Sequence, residues 1–152
     1  MDFITLLRTS SVDEAMTRDP LCVETSSPLS TVLGALQERR TGAALVCRGG
    51  IICGIFTERD FLKVVKEGCS LEDPIERFMI RDPEVFSSRG TLAEAMRKMS
   101  LGRYRHLPIV DGESRPIGML KIKNIVHFLV QHLSRAVYNA TPEVPMIGRE
   151  GA

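Results

Sequence analysis

The chain has 152 residues, 43% hydrophobic and 26% charged, an ordinary globular mixture that excludes a disordered polymer and favours one domain or two small units sharing a core. Twenty Lys and Arg face nineteen Asp and Glu, a formal charge of +1, so there is no broad basic surface for nucleic acid, and an absence of Trp with only two Tyr leaves little for base stacking. No apolar run reaches the roughly 18 residues of a membrane span.

The first ten residues predict a short N-terminal helical segment (1–10), and Met1 to Leu7, carrying Asp2, lacks the basic region of a signal peptide. Beyond this segment the chain contains an internal repeat. Met16-Thr17-Arg18-Asp19-Pro20 returns as Met79-Ile80-Arg81-Asp82-Pro83, and the same offset pairs Leu29, Leu33 and Leu36 with Leu92, Met96 and Met99. It also lays Ala44-Leu45-Val46-Cys47 over Leu107-Pro108-Ile109-Val110. One residue inserted near Ser114 then brings Gly54-Ile55-Phe56 onto Gly118-Met119-Leu120.

Within the first copy (11–68), a turn at Asp19-Pro20 leads into a strand over Leu21 to Glu24. Leu29, Val32, Leu33 and Leu36 then form the apolar stripe of a helix. Strands over Ala43 to Cys47 and Ile51 to Phe56 are joined by a Gly49-Gly50 hairpin turn, and a helix over Glu58 to Glu67 closes the copy. After a short linker, Gly68 to Pro74, the second copy (69–138) repeats the pattern: a strand over Glu84 to Phe86 and a helix opened by the capping box of Thr91 and Glu94. Strands over His106 to Val110 and Pro116 to Leu120 flank a turn through Asp111-Gly112, and the last helix spans Ile122 to about Leu133. The tail, 139–152, with Pro142, Pro145, Gly148 and Gly151, has no periodicity and reads as extended or mobile. The expected fold is therefore α/β (α+β): two βαββα units of about 60 residues, related by a pseudo-twofold axis and packed sheet to sheet, because a lone three-stranded sheet of that size leaves an apolar face open.

The chemistry concentrates where the strand ending in Gly54-Ile55-Phe56 meets the next helix at Thr57-Glu58-Arg59-Asp60. Unpaired N–H groups at a helix start favour anions. Thr57 and Asp60 are spaced as a cap, and equally as a hydroxyl and a carboxylate offered to a ligand. The second copy holds Lys121 and Asn124 there, so the two clefts are expected to be unequal. Arg103-Tyr104-Arg105-His106 is either a solvated basic turn at a helix C-terminus or an arginine aimed across the cleft at a phosphate, a contact that Gly42 in the first copy lacks the side chain to make. His106, His127 and His132 have no metal-ligand spacing, Cys22, Cys47, Cys53 and Cys69 form no C-x-x-C pair, and no Ser, Cys or Lys stands in a catalytic motif. The cysteines read as small buried residues of a reducing, cytoplasmic compartment, and the chain as a binding protein rather than an enzyme, without cofactor or metal.

Met-x-x-Asp-Pro opening each copy, His106-Leu107-Pro108-Ile109-Val110-Asp111, and Gly54-Ile55-Phe56-Thr57-Glu58-Arg59-Asp60 together resemble a tandem pair of cystathionine-β-synthase (CBS) domains over roughly Ser11 to Leu133, of the bacterial, stand-alone regulatory type. The chain departs from that pattern at Ala44-Leu45-Val46-Cys47, where the family's Pro and Asp are missing, and at Lys121 and Asn124, where Ser or Thr and Asp are usual. The resemblance implies a sensor of AMP, ADP or ATP. Asp60 would bind ribose hydroxyls and Thr57 the ribose or phosphate. Ile55, Ile80, Val85 and Tyr104 would sandwich adenine, with Arg105 and Lys123 on phosphate. Thr17, Arg59, Met119, Lys121 and Asn124 would form a second, weaker cleft. It further implies a homodimer, a disc of two pairs meeting through the helices over Glu58 to Glu67 and Ile122 to about Leu133, acting on a separate effector protein. The alternatives are a ligand-free dimerisation platform, or a module for S-adenosylmethionine or NAD.

Overall fold

Both halves lay down the same elements in the same order. In the computed structural model, which describes residues 2–140, the first half comprises α1 (Phe3–Thr9), β1 (Thr17–Arg18), β2 (Cys22–Glu24), α2 (Leu29–Arg39), β3 (Ala43–Arg48), β4 (Ile51–Thr57) and α3 (Glu58–Glu67). The second half supplies β5 (Ile80–Arg81), β6 (Phe86–Ser87), α4 (Leu92–Gly102), β7 (His106–Val110), β8 (Pro116–Lys121) and α5 (Ile122–Ala140). Single 3₁₀ turns at Val12–Glu14 and Ile75–Arg77 lead into β1 and β5.

Each sheet has four strands rather than the three expected, because the opening strand of each repeat crosses to the sheet of the other. The orders are β1-β8-β7-β6 and β2-β3-β4-β5. Thr17 and Arg18 pair antiparallel with Met119 and Gly118; in the equivalent arrangement Ile80 and Arg81 pair with Ile55 and Gly54. Two glycines make the crossing possible. A Cβ on Gly54 would overlap the Met79 side chain and lie 3.1 Å from the Ile80 carbonyl oxygen; one on Gly118 would overlap Met16 and lie 3.0 Å from the Thr17 carbonyl oxygen.

The lead-ins to these strands are exchanged as well. Val12 donates its N–H to Gly90 and Leu92 to Ser10 (both 2.9 Å), while Ile75 donates to Ser27 (2.8 Å) and Leu29 to Asp73 (2.9 Å). The linker is thus a cap: carbonyls of Leu71 and Asp73 accept the first N–H groups of α2, which has no side-chain cap of its own. The four exchanged contacts pair off at the repeat offset, Val12–Gly90 with Ile75–Ser27 and Leu92–Ser10 with Leu29–Asp73, as a pseudo-twofold relation requires.

Among the described residues, three apolar clusters form the core. One gathers Leu29, Val32, Phe56 and Ile75; a second gathers Val12, Leu92, Met99, Leu107 and Leu120; a third, Ala43, Leu45, Ile55 and Met119, is the seam where the sheets meet. Sheet-to-sheet packing of two repeats is therefore the observed architecture. Of the four cysteines only Cys47, on the inner strand β3, is buried; Cys22 is exposed on β2, and Cys53 and Cys69 are half-buried, so the expectation of four buried thiols is corrected. The β7–β8 turn places its left-handed residue at Ser114 (φ 61°) instead of Gly112, so the inserted residue is taken up there, and Asp111 Oδ1 accepts from Glu113 N (2.9 Å) and Arg115 N (3.0 Å). The last helix runs to Ala140, well past Leu133, since no Gly or Pro interrupts it before Pro142. It takes in the first two residues expected in the tail, and residues 141–152 lie outside those described.

Candidate ligand-binding clefts

β4 runs directly into α3, so Thr57 is the last strand residue and the helix cap at once. Asp60, three residues on, is only 4% exposed. Its Oδ2 accepts the Thr57 backbone N–H (2.9 Å) and the Thr57 hydroxyl (3.0 Å). The capping reading of this pair is therefore realised as a capping box, in which the Asp60 carboxylate accepts the Thr57 N–H. Beside it, the seam residue Ile55 and its cross-strand partner Ile80 form an apolar shelf: Ile55 is buried, whereas Ile80 is 49% exposed. Ile80 reaches this position only through the strand exchange.

The corresponding place in the other half is built differently. Asn124 Oδ1 accepts the Lys121 N–H (2.8 Å), reproducing the cap, while its Nδ2 donates to the Thr17 hydroxyl (3.2 Å). Thr17 pairs across the strands with buried Met119. Thr17, Met119, Lys121 and Asn124 thus converge as one group whose amide is already committed internally. Arg59 is exposed in the first turn of α3, and no hydrogen bond or ion pair among the described residues joins it to that group.

Arg105 and Lys123 come together in a third place, a cleft of about 470 Å³ between the repeats that is lined also by Arg40, Gly42, His106, Lys121 and Ile122. Burial and the neighbouring Lys123 lower the Lys121 pKa below its ordinary value. Burial, then Lys121, with Arg105 and Lys123 adding to them, push His106 down, and Glu58 partly opposes this. An adjoining cavity of about 510 Å³ shares Arg40 and Gly42 and extends along α2 and α3 to Leu33 and Phe61. Neither of these two cavities is lined by Asp60. Tyr104 lies with its ring over Gly102 at the end of α4, and the Val85 carbonyl accepts from Lys98 Nζ (3.1 Å); no hydrogen bond among the described residues joins either to Asp60. Sequence reasoning missed Arg40 as a cleft residue. The repeat offset equates it with Arg103, which shares its left-handed conformation at a helix end (φ 51° and 57°) but does not line the cleft, so the offset carried no signal for it.

The CBS domain family profile matches twice, over residues 10–67 and 75–131. The CBS domain-containing protein CBSCBSPB5 of Arabidopsis thaliana is 30% identical over 141 residues, which are 88% of this chain and 26% of that protein, so the chain spans about a quarter of that relative's length. Among solved structures, CBSX2 of Arabidopsis thaliana in complex with AMP superposes with a TM-score of 0.71 at 22% identity, covering 80% of this chain and 97% of that one. The CBS domain pair of MJ0100 in complex with 5-methylthioadenosine and S-adenosyl-L-methionine superposes with a TM-score of 0.74 at 18% identity, covering 81% and 98%. This chain belongs to the CBS domain family and carries two tandem copies of the domain.

Proposed function

We propose that the chain is a regulatory module that binds an adenosine-bearing ligand, AMP, ADP or ATP, at the Ile55–Asp60 shelf and conveys its presence to a separate effector. The observation that carries this reading is the buried Asp60 carboxylate, fixed by Thr57 beside the exposed face of Ile80. That arrangement offers an anionic acceptor to a ribose diol and an apolar surface to a purine in one place. Asp60 takes the ribose hydroxyls and Thr57 the ribose or phosphate. Ile55 and Ile80, completed by Val85 and Tyr104 from the loops of the second repeat, hold adenine, and Arg105 with Lys123 meets phosphate. A charged hydrogen bond contributes about 1.5–3 kcal/mol, so a diol pair, a guanidinium–phosphate pair and a buried purine reach the roughly 8 kcal/mol of micromolar binding. The AMP and methylthioadenosine complexes of the structural neighbours support the same ligand class. The second group, with Asn124 tied to Thr17, binds more weakly, for its amide must leave Thr17 before it can serve a ligand.

Two pairs associate through α3 and α5, where Leu62, Val65, Val126 and Val130 are each more than half exposed. This apolar surface also favours a second reading, a dimerisation platform that needs no ligand. Thermal melts with AMP, ATP, S-adenosylmethionine and NAD separate the two. A ligand at 100 times its dissociation constant stabilises by about 2.7 kcal/mol, and no shift with any of them leaves the platform standing.

A further inference from the structure

We propose that Lys98 is a positioning residue of the adenine site: it ties the Glu84–Phe86 segment to α4, and by fixing the Val85 wall it sets the preference for a purine. The proposal deepens the adenosine reading and rests on it. The segment matters because of the strand exchange. β5 belongs to the sheet of β4 and β6 to the sheet of β7, so residues 82–85 bridge the two sheets. One end of the bridge carries Ile80, paired with Ile55. At the other end Phe86 pairs with Ile109 and packs into the cluster that contains Leu92 and Met99 of α4. Neighbouring residues of extended chain point to opposite faces, which turns Val85 away from that cluster and towards the seam of Ile55. The spacing of the two apolar walls is therefore set by where the bridge is anchored.

Lys98 anchors that end through three consecutive residues. Its ammonium donates to the Val85 carbonyl (3.1 Å), pairs with the Glu84 carboxylate (3.0 Å) and lies 5.8 Å from the centroid of the Phe86 ring. The first repeat has none of these parts: at the repeat offset Ala35 stands for Lys98, and Leu21, Cys22 and Val23 stand for Glu84, Val85 and Phe86. Its bridge is held at the turn instead, by Arg39, which donates to the Asp19 carbonyl and pairs with the Asp19 carboxylate (3.8 Å). Gly102 occupies the place of Arg39 in the second repeat, so Asp82 gains no such hold from α4. Both turns nevertheless reach the same left-handed conformation, φ 55° at Asp19 and 48° at Asp82. The hold on Val85 is thus not what shapes the turn; it fixes the wall beside Asp60. An ion pair as exposed as Lys98–Glu84 contributes little to stability, so its removal spares the fold.

Calorimetry on the whole chain with AMP, and with CMP read by displacement of AMP, tests this on Lys98→Met, Lys98→Arg and Arg39→Met; ATP and CTP replace them if the triphosphates bind tighter, and circular dichroism checks each fold. CMP shares the ribose and phosphate and differs in the base alone. Lys98→Met keeps the stem over Phe86 but loses the charge and the donor. It weakens AMP about fivefold, the scale of re-ordering a released contact segment on binding, and changes CMP by less than about twofold, so the purine preference falls. Lys98→Arg restores a cationic donor and stays within about twofold of the unmodified chain for both nucleotides. Arg39→Met, which loosens the other bridge, also stays within about twofold, as a separate site should. An AMP affinity indifferent to Lys98→Met, an equal loss of AMP and CMP, a loss that Lys98→Arg does not rescue, or the same loss in Arg39→Met overturns the positioning role and leaves the adenosine reading intact. Failure of both AMP and ATP to bind the unmodified chain overturns that reading, and the positioning role with it.

Discussion

Asp60 and Asn124 occupy equivalent positions and accept nearly identical hydrogen bonds, from Thr57 N at 2.9 Å and Lys121 N at 2.8 Å. Capping therefore does not require a carboxylate, and what Asp60 adds is charge held out of water. Asp60→Asn keeps an acceptor for the cap and should shift the denaturation midpoint little, while weakening an adenosine ligand about tenfold, the worth of one charged hydrogen bond. Asp60→Ala should lose both, with about 1 kcal/mol of stability for the cap. A ligand titration and a urea melt on the two variants read these separately. His106 supplies a pH dependence. Burial and Lys121 lower its folded-state pKa below the ordinary 6.5, so the unfolded chain binds the proton more readily. That part of the stability is complete above 6.5 and is lost as the pH falls through the folded value. Urea midpoints should decline on acidification through this window, and His106→Gln should flatten the slope.

At the scale of elements, the repeat could be read from residues alone, because the offset between Asp19 and Asp82 is shared by helix stripes, strands and turns. The exchange of β1 and β5 could not. Two-residue strands carry no periodicity, and their partners lie far along the chain: Thr17 finds Met119 by tertiary packing, which no local pattern encodes. The same non-locality hid Arg40, whose cleft exists only once the repeats face each other. The Thr57–Asp60 pair was legible because strand end, cap and carboxylate are contiguous. The glycines at the crossing are the sensitive points of this arrangement. Gly54→Val and Gly118→Val, each pressing on a methionine side chain and a backbone carbonyl, should cost about 1–3 kcal/mol, the usual penalty of overpacking. Gly34→Ala, with nothing within 4 Å, is the control, and urea denaturation measures all three.

For the whole molecule, six of the thirteen large apolar residues exposed among the described ones lie on α3 and α5, the two helices that follow β4 and β8: Leu62, Val65, Ile122, Val126, Val130 and Leu133. Val126→Glu and Leu62→Glu, each placing a charge on that surface, should convert the proposed dimer to a single pair without lowering its stability by more than surface substitutions do, about 0.5 kcal/mol. Sedimentation velocity reports the change in mass. The borrowed edge strands have a consequence for how such a chain comes to be folded at all. Severed between Gly68 and Cys69, it yields two peptides, each missing a strand that only the other carries. Neither fragment should be self-sufficient, and native structure should return only when they meet as a heterodimer: the sequence repeats at the length of one copy, whereas the sheets are complete only in the pair.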